Sequence, residues 1–131
     1  MVYQRAAVII IQNKKILLMH RIKNNSEYYA IPGGTLEKGE QFEIAAIREI
    51  KEETTLDLDL GEKLWEINDG ISNCVYFLCK NFTGKAKISG PEKKISSQNN
   101  YFGLKWILLS DLNNIDLKPS IIKEKIIGTF L

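Results

Sequence analysis

The sequence predicts an α/β protein in which helices pack on a sheet of mixed strand direction. Short apolar, β-branched runs separated by turn residues recur along its 131 residues, and such runs are typical of strands. Two amphipathic segments, residues 41–54 and 120–127, interrupt this series of strands and have helical spacing. Because no repeat, low-complexity tract or linker divides the chain, one domain over residues 1–131 is expected.

The predicted strands are bounded by turn signals. They are residues 6–11, 16–20, 28–31, 56–60, 64–67, 71–79, 85–88 and 101–109. The first is continuously apolar, which indicates a buried strand, and the second is expected to pair with it antiparallel across a turn at 13–15. Asp69-Gly70 is a strong hairpin signal, and Thr83-Gly84 is a further turn. Residues 23–27 and 89–100 are predicted to be polar loops.

Both predicted helices carry an apolar stripe. The first helix contains no glycine or proline, and its apolar residues are Phe42, Ala45, Ala46, Ile47 and Ile50, of which Ala46, Ile50 and Ile47 are expected to form the core stripe. The second helix is expected to begin close to Pro119, because proline is favoured in the first turn of a helix.

Charge and composition exclude several classes of protein. The chain has 18 Lys+Arg and 16 Asp+Glu, and the net charge of +2 is spread along it, so neither a nucleic-acid surface nor a membrane surface is indicated. No apolar run approaches the roughly 18 residues of a membrane span. The start, MVYQRAAVIII, lacks the features of a signal peptide, so a cytoplasmic location is expected. The oligomeric state stays open, with a homodimer among the alternatives.

Two cysteines, Cys74 and Cys79, lie in the strand predicted at 71–79. Five steps along a strand span about 17 Å, whereas a disulfide needs Cα atoms within about 7 Å. An odd separation also points the two side chains to opposite faces of the strand. We therefore expect two reduced thiols, and no second cluster of cysteine or histidine indicates a metal site.

Three glutamates crowd the end of the first predicted helix, in the stretch REIKEET at residues 48–54. At 3.6 residues per turn, Glu49, Glu52 and Glu53 form one acidic cluster on one helix face. Each like-charge pair costs about 0.2–0.5 kcal/mol, and the partial negative charge at the helix end adds a similar penalty. This face is either a solvated acidic surface or a site for a hard divalent cation such as Mg²⁺, which prefers oxygen ligands.

The stretch before this helix is IPGGTLEKGE, residues 31–40. The spacing of Gly34 and Gly39 is similar to that of a phosphate-binding P-loop, but Glu40 stands where that loop has its lysine. A carboxylate in that place reverses the charge, so this interpretation is rejected. The alternative is a tight turn at Pro32-Gly33-Gly34 that brings backbone carbonyls close to the glutamate helix.

Taken together, the two stretches resemble the Nudix box, G-x5-E-x7-R-E-U-x-E-E-x-G-U, in which U is aliphatic. Eight of its nine defined positions match at the right spacing: Gly34, Glu40, Arg48, Glu49, Ile50, Glu52, Glu53 and Leu56. The exception is Thr55, where the family has a glycine that allows a positive φ after the helix. Threonine puts the local geometry in doubt and leaves the expected ligands untouched. Strand order and chain length also suit the Nudix fold, an α/β/α sandwich with a mixed sheet.

The resemblance implies a metal-dependent pyrophosphohydrolase that cleaves the pyrophosphate bond of a nucleoside diphosphate linked to another moiety. It also implies that the ligands of Mg²⁺, or of Mn²⁺ in its place, are Glu49, Glu52, Glu53 and the carbonyl of Gly33. Arg48 and Glu40 would orient these glutamates, and Gly34 would lie at the substrate. The general base would be Glu49, Glu52 or an acidic residue of a downstream loop, for which Glu92 is our candidate.

Other side chains are candidates for contacts with the substrate. Arg21, after the second predicted strand, could hold a phosphate, whereas Tyr28, Tyr29 and Phe102 suit either a base-stacking role or an ordinary core. The long polar loop around Glu92 is predicted to act as a lid. The expected partner is a small nucleotide, because the weak positive charge does not favour long RNA. No signature outside the box indicates which nucleotide it is.

Two other functions compete with the enzyme. A non-catalytic nucleotide-binding sensor module could have the same fold, but such modules usually lose glutamates from the box, and this chain keeps all of them. A passive Ca²⁺-binding domain would need the loop pattern D-x-[DN]-x-[DN]-G, which the sequence lacks.

Overall fold

The computed structural model describes residues 2–87 and 100–131. Its elements in chain order are β1 (Tyr3–Ile9), β2 (Ile11–Gln12), β3 (Lys15–Lys23), β4 (Ser26–Ala30), β5 (Gly33–Thr35), α1 (Phe42–Thr54), β6 (Asp57–Asn68), β7 (Ser72–Thr83), β8 (Asn100–Leu108), a 3₁₀ helix (Leu109–Asn114), β9 (Leu117–Lys118) and α2 (Ser120–Phe130). Contacts divide these residues into two compact units. Unit 1 comprises residues 2–10 and 32–87, and unit 2 comprises residues 11–31 and 100–131. One domain over residues 1–131 stays a prediction.

Unit 1 is a four-stranded sheet with helix α1. The strand order is β5-β1-β7-β6, in which β1 and β7 are parallel and the other two pairs are antiparallel. The helix contacts β1, β5 and β6, and it fully buries Ala45, Ala46 and Ile50. Burying an isoleucine side chain contributes about 1.5–3 kcal/mol, so this stripe fixes the helix and its opposite, charged face.

Unit 2 is a five-stranded sheet with helix α2 and the 3₁₀ helix. Strand β3 pairs along its whole length with β8, and its other edge pairs with β2 at the start and with β4 at the end. The short strand β9 is parallel to β4. Ile122 and Ile126, one turn apart on α2, are fully buried. Both sheets are therefore mixed, and the predicted α/β class is confirmed.

Several predicted elements are wrong in detail. Residues 16–20 pair with only one residue of the first apolar run, Ile11 with Ile16, because that run leaves one sheet after Ile9 and continues in the other as β2. Residues 23–27 are a tight hairpin, since Asn24 and Asn25 adopt φ of 51° and 68°. Residues 33–35 form strand β5 where a turn was expected, and residues 85–87 are not in a strand.

Other expectations are confirmed. Helix α1 matches the prediction to within one residue at its start, and Gly70, with φ of 88°, turns the hairpin between β6 and β7. Cys74 and Cys79 lie on β7 as free thiols. Among the described residues, no helix combines the length and apolar character that crossing a membrane requires.

Candidate active site

The last two turns of α1 lie beside β5. Gly34 has no side chain, and the carboxylate of Glu49 fills the space that a Cβ would take, with its carbon 2.3 Å from that position. Gly33 lies equally close to β1, because a Cβ there would be 2.2 Å from the carbonyl oxygen of Ala6. Both positions therefore require glycine, because Gly34 lies too close to α1, and Gly33 too close to β1, for a side chain.

Glu53 is held by the backbone of β5. The N–H of Gly33 donates a hydrogen bond of 2.9 Å to Glu53 Oε1. The tight turn predicted at Pro32-Gly33-Gly34 would have directed backbone carbonyls at α1. Strand β5 instead directs the N–H of Gly33 at Glu53. A role of the Gly33 carbonyl as a metal ligand stays a prediction.

Arg48 is the central cation of the site. Its guanidinium donates two hydrogen bonds to Glu40, from Nε and from Nη2, and each nitrogen lies 2.8 Å from a carboxylate oxygen. Its remaining partners are Glu49 at 2.9 Å, the carbonyl of Thr35 at 3.2 Å, and Glu37 and Glu52 at 3.3 Å. Glu37, three residues before Glu40, is a partner of Arg48 that the Nudix box does not define.

These contacts shift the acidity of the site. The hydrogen bonds from Arg48, followed by that from the Glu37 backbone, lower the pKa of Glu40 from 4.5 to about 2. Burial raises the pKa of Glu49, and its bonds from Arg48 oppose that rise only in part. The pKa of Arg48 is raised, chiefly by its bond to Glu40, so this cation keeps its charge throughout the working pH range.

Thr55, the one departure from the box, does adopt the left-handed conformation. Its φ is 68° and its ψ is 3°, and its N–H donates to the carbonyl of Lys51 at 3.0 Å, as a glycine there would do. Its hydroxyl donates to the carbonyl of Lys85 at 2.9 Å. This bond offsets part of the strain, and the helix ends as the family pattern requires.

The acidic cluster is chemically suited to a hard cation but is not gathered around one point. Within residues 2–87 and 100–131, no three His, Cys, Asp or Glu side chains converge enough to hold a metal ion. Instead, Glu49 and Glu52 accept hydrogen bonds from Arg48, and Glu53 accepts one from Gly33. Because all three carboxylates project from successive turns of one helix, side-chain rotation alone could bring their oxygens together.

The other predicted site residues belong to unit 2 or fall outside the described residues. Arg21 is in unit 2, with its guanidinium carbon 5.0 Å from the centre of the Phe102 ring. Tyr29 stacks on His20, with ring centres 4.5 Å apart, so it is engaged within the sheet. Glu92 and its predicted lid lie outside the described residues, and their roles stay predictions.

Comparison with known proteins places this geometry in a family. The box on α1 and β5 defines an α/β protein of the Nudix type. The model of the NUDIX domain matches residues 2–124, so the chain belongs to the NUDIX family. Members of this family generally use divalent metals such as Mg²⁺.

Two curated relatives have related names. An RNA pyrophosphohydrolase of Pelagibacter ubique is 31% identical over 117 residues, which cover 85% of this chain and 64% of the relative. An ADP-ribose pyrophosphatase of Methanocaldococcus jannaschii is 54% identical over 50 residues, which cover 37% of this chain and 29% of the relative. The aligned parts therefore span less than two thirds of either relative.

Solved structures share the fold. One, from a study of MutT from Aliivibrio salmonicida and Vibrio cholerae, has a TM-score of 0.81 at 19% identity and covers 99% of this chain and 100% of that chain. MutT NUDIX hydrolase from Burkholderia pseudomallei has a TM-score of 0.74 at 22% identity and covers 100% and 99%. These likenesses confirm the predicted Nudix fold.

Proposed function

We propose that this chain is a divalent-metal-dependent pyrophosphohydrolase that cleaves the pyrophosphate bond of a nucleotide substrate. The observation that carries the proposal is the meeting of α1 and β5, where Glu49 lies over Gly34 and Glu53 is bonded to Gly33. A solvated acidic surface needs neither contact. The names of both curated relatives support the same class of bond.

In this proposal, Glu49, Glu52 and Glu53, with the Gly33 carbonyl, hold Mg²⁺ or Mn²⁺. A bound divalent ion would neutralise charge on the pyrophosphate and assist the attack of water on phosphorus. Glu53 is already directed at β5 by the Gly33 amide, and Glu49 is confined by Gly34 and Arg48. The chain therefore fixes two of the three carboxylates before any ion binds.

Arg48 and Glu40 act as positioning residues. The two-point bond between them fixes the plane of the guanidinium, and its Nη1 then reaches Glu49 and Glu52. Glu52 is the candidate general base. Its side chain is 57% exposed, and its contacts to Arg48, at 3.3 Å, are the longer ones, so it is the carboxylate most accessible to water.

The test is hydrolysis of a nucleotide panel with Mg²⁺, with Mn²⁺ and with excess chelator. The panel should contain a nucleoside triphosphate, ADP-ribose, a dinucleoside polyphosphate and an RNA with a 5′-triphosphate. We expect phosphate or nucleotide release that the chelator abolishes. Metal-independent turnover would contradict the proposal, and nucleotide binding without any turnover would favour the sensor module.

Glu52→Gln tests the site residue by residue. It removes one charge and keeps shape and helix propensity, so turnover should fall by about 10²-fold or more while the metal-free protein stays as stable as the wild type. The matched control is Glu43→Gln, an exposed glutamate in the first turn of the same helix, which should keep wild-type turnover. Equal turnover of the two variants would contradict the assignment of Glu52. A cytoplasmic location stays a prediction.

A further inference from the structure

A cavity of about 540 Å³ lies in unit 2, where β8 ends and the 3₁₀ helix begins. It is called the β8 cavity. Its apolar lining includes Trp106, Leu108 and Ile115, and its polar lining consists of Lys15, Asp111 and Asn114. Small-molecule sites typically measure about 300–1,000 Å³ and combine apolar surface with a few polar groups. The volume and the mixed lining of the β8 cavity therefore suit a ligand of nucleotide size.

The sheet forms one wall of the cavity. Lys15 lies opposite Leu108 in the strand register, and Trp106, two residues before Leu108 on β8, points to the same face of the sheet. The N–H of Leu109 donates a hydrogen bond of 2.9 Å to the carbonyl of Lys14, so the start of the 3₁₀ helix is tied to the start of β3. This bond fixes the sheet wall relative to the helix that follows it.

The 3₁₀ helix forms the polar wall. Asp111 and Asn114 are three residues apart, and side chains at that spacing in a 3₁₀ helix stand one above the other, about 6 Å apart. Leu112, on the same helix, is fully buried. The carbonyl of Ile115, just after the helix, accepts a hydrogen bond of 3.0 Å from Lys123 Nζ. Both ends of the helix are therefore held, and the wall is formed before any ligand binds.

The polar side chains of the cavity are available to a ligand. Within residues 2–87 and 100–131, no side-chain hydrogen bond or ion pair engages Lys15, Asp111 or Asn114. Lys15 and Asp111 carry opposite charges and line the same cavity, yet they do not pair with each other. Leu108 is 41% exposed, so apolar surface is uncovered as well. A ligand with an anionic group, hydroxyl donors and a flat ring would complement all of these groups at once.

We propose that the β8 cavity binds a nucleoside monophosphate of the adenosine type, at a second site that shares no residue with the acidic site. The Lys15 ammonium donates to the phosphate, and the Asp111 carboxylate accepts from the ribose hydroxyls, as acidic residues do in dinucleotide-binding folds. The Asn114 amide pairs with N6 and N7 of adenine, and the Trp106 indole stacks on the ring. This binding needs neither the metal nor the hydrolysis of the proposed function.

The test is calorimetric titration of the full chain with adenosine monophosphate (AMP), with chelator present so that the acidic cluster binds no metal. Lys15→Gln and Asp111→Asn should each weaken AMP binding by about tenfold or more, because each removes a charged hydrogen-bond partner. The controls are Lys14→Gln and Glu124→Gln, which change exposed residues of unit 2 outside the cavity lining and should leave binding unchanged. Equal losses in Lys14→Gln and Lys15→Gln would overturn the site, because only net charge would then matter.

Adenosine and guanosine monophosphate separate the individual contacts. Adenosine lacks the phosphate, so it should bind more weakly than AMP, and Lys15→Gln should leave its affinity unchanged. Guanine presents two acceptors where adenine presents a donor and an acceptor, so its monophosphate should bind more weakly than AMP. Asn114→Leu should remove that preference. Equal affinity of the wild type for the two monophosphates would overturn the assignment of adenine.

Tryptophan fluorescence tests the stacking. The chain has two tryptophans, Trp65 and Trp106, so Trp65→Phe leaves Trp106 as the single fluorophore. AMP should quench its emission over the same concentrations as in the calorimetric titration, and emission that stays constant through saturation would overturn the stacking role. Circular dichroism of each variant should match the wild type.

The outcomes also separate this inference from the proposed function. AMP binding that depends on Lys15 and Asp111, in a protein that hydrolyses no nucleotide with Mg²⁺, would contradict only the proposed function. Metal-dependent hydrolysis together with AMP binding that is insensitive to both cavity variants, or with no AMP binding, would overturn only this inference.

Discussion

The acidic site of unit 1 and the cation–ring contacts of Arg21 and Lys118 in unit 2 handle charge in opposite ways. In unit 1, Arg48 is bonded to several carboxylates, and Glu53 is bonded to a backbone amide. In unit 2, Arg21 lies on the Phe102 ring and Lys118 on the Tyr28 ring, whereas Glu27 is bonded to His20 on the opposite face of the sheet from Arg21. Charges of the first kind support the fold itself. Charges of the second kind rest on ring contacts worth about 0.5–1 kcal/mol each and therefore contribute less to the fold.

The largest effects are expected at the two glycines of the acidic site. Gly34→Ala places a methyl group against the flexible end of Glu49, so turnover should fall by about 10²-fold from misplacement, with little change in stability. Gly33→Ala places its methyl group against the backbone of β1, so the free energy of unfolding should fall by about 2–3 kcal/mol. Urea titration and one activity assay on both variants would check this. A Gly33→Ala protein as stable as the wild type would contradict the tight approach of β5 to β1.

The next effect compares the two arginines directly. Arg48→Gln leaves Glu40 and Glu49, which are 12% and 17% exposed, without their cation, so the free energy of unfolding should fall by about 1–3 kcal/mol. Arg21→Gln loses a ring contact and removes a buried Nε that has no hydrogen-bond partner among the described residues, so its stability should stay within about 1 kcal/mol of the wild type.

Lys51→Gln is the control for Arg48, because Lys51 is on the same helix and its ion pair with Asp57, at the start of β6, is exposed, and such pairs are worth about 0–1 kcal/mol. Urea titrations of the three variants at one ionic strength give the comparison. Equal losses of unfolding free energy in Arg48→Gln and Arg21→Gln would contradict the comparison, because both arginines would then support the fold alike.

A smaller effect is expected in acid. The pKa of Glu40 is lowered from 4.5 to about 2, so the stability that this group contributes is fully present above pH 4.5 and is lost as the pH falls towards 2. Glu49 acts in the opposite direction, because its pKa is raised. Urea midpoints of the wild type and of Glu40→Gln between pH 6 and about pH 2 isolate the Glu40 contribution. The difference between the two proteins should shrink across that window, and a constant difference would argue against the Arg48–Glu40 bond as its source.

The smallest effect is expected at Thr55. Thr55→Ala keeps the positive φ but loses the bond to the Lys85 carbonyl, so it should destabilise the protein by about 1 kcal/mol. Thr55→Gly also loses the bond but removes the strain, so its stability should lie within about 0.5 kcal/mol of the wild type. Thermal melts of the two variants would rank them. A glycine variant less stable than the alanine variant would mean that Thr55 is not strained.

The features predicted correctly from the sequence are those set by residues close together in the chain. Helix α1 follows from its apolar spacing, and the turn at Gly70 follows from the Asp-Gly signal. The spacing of the box likewise placed Glu49, Glu52 and Glu53 on one face. The hairpin at Asn24-Asn25 was missed because asparagine stands where the usual signal has glycine.

Features set by pairing between distant segments could not be predicted in this way. Strand β5 exists only because β1 lies beside it, and a local pattern of Pro-Gly-Gly indicates a turn. The contact of Lys118 with Tyr28 depends on β9 joining β4. The hydrogen bond from Gly33 to Glu53 also depends on the pairing of β5 with β1. The acidic cluster could therefore be predicted from the sequence, but the bond that holds Glu53 in place could not.

Strand β6 has a consequence for how the protein behaves at high concentration. It has 12 residues and, among the described residues, ends the sheet order of unit 1, so no other strand of that sheet pairs with its outer side. Register shifts interrupt it at three places between Asp59 and Trp65, and charged side chains line it at Asp57, Asp59, Glu62, Lys63 and Glu66. Irregular, charged edges resist intermolecular β-pairing, so we expect this edge to pair poorly with a second copy of the chain while the carboxylates stay ionised.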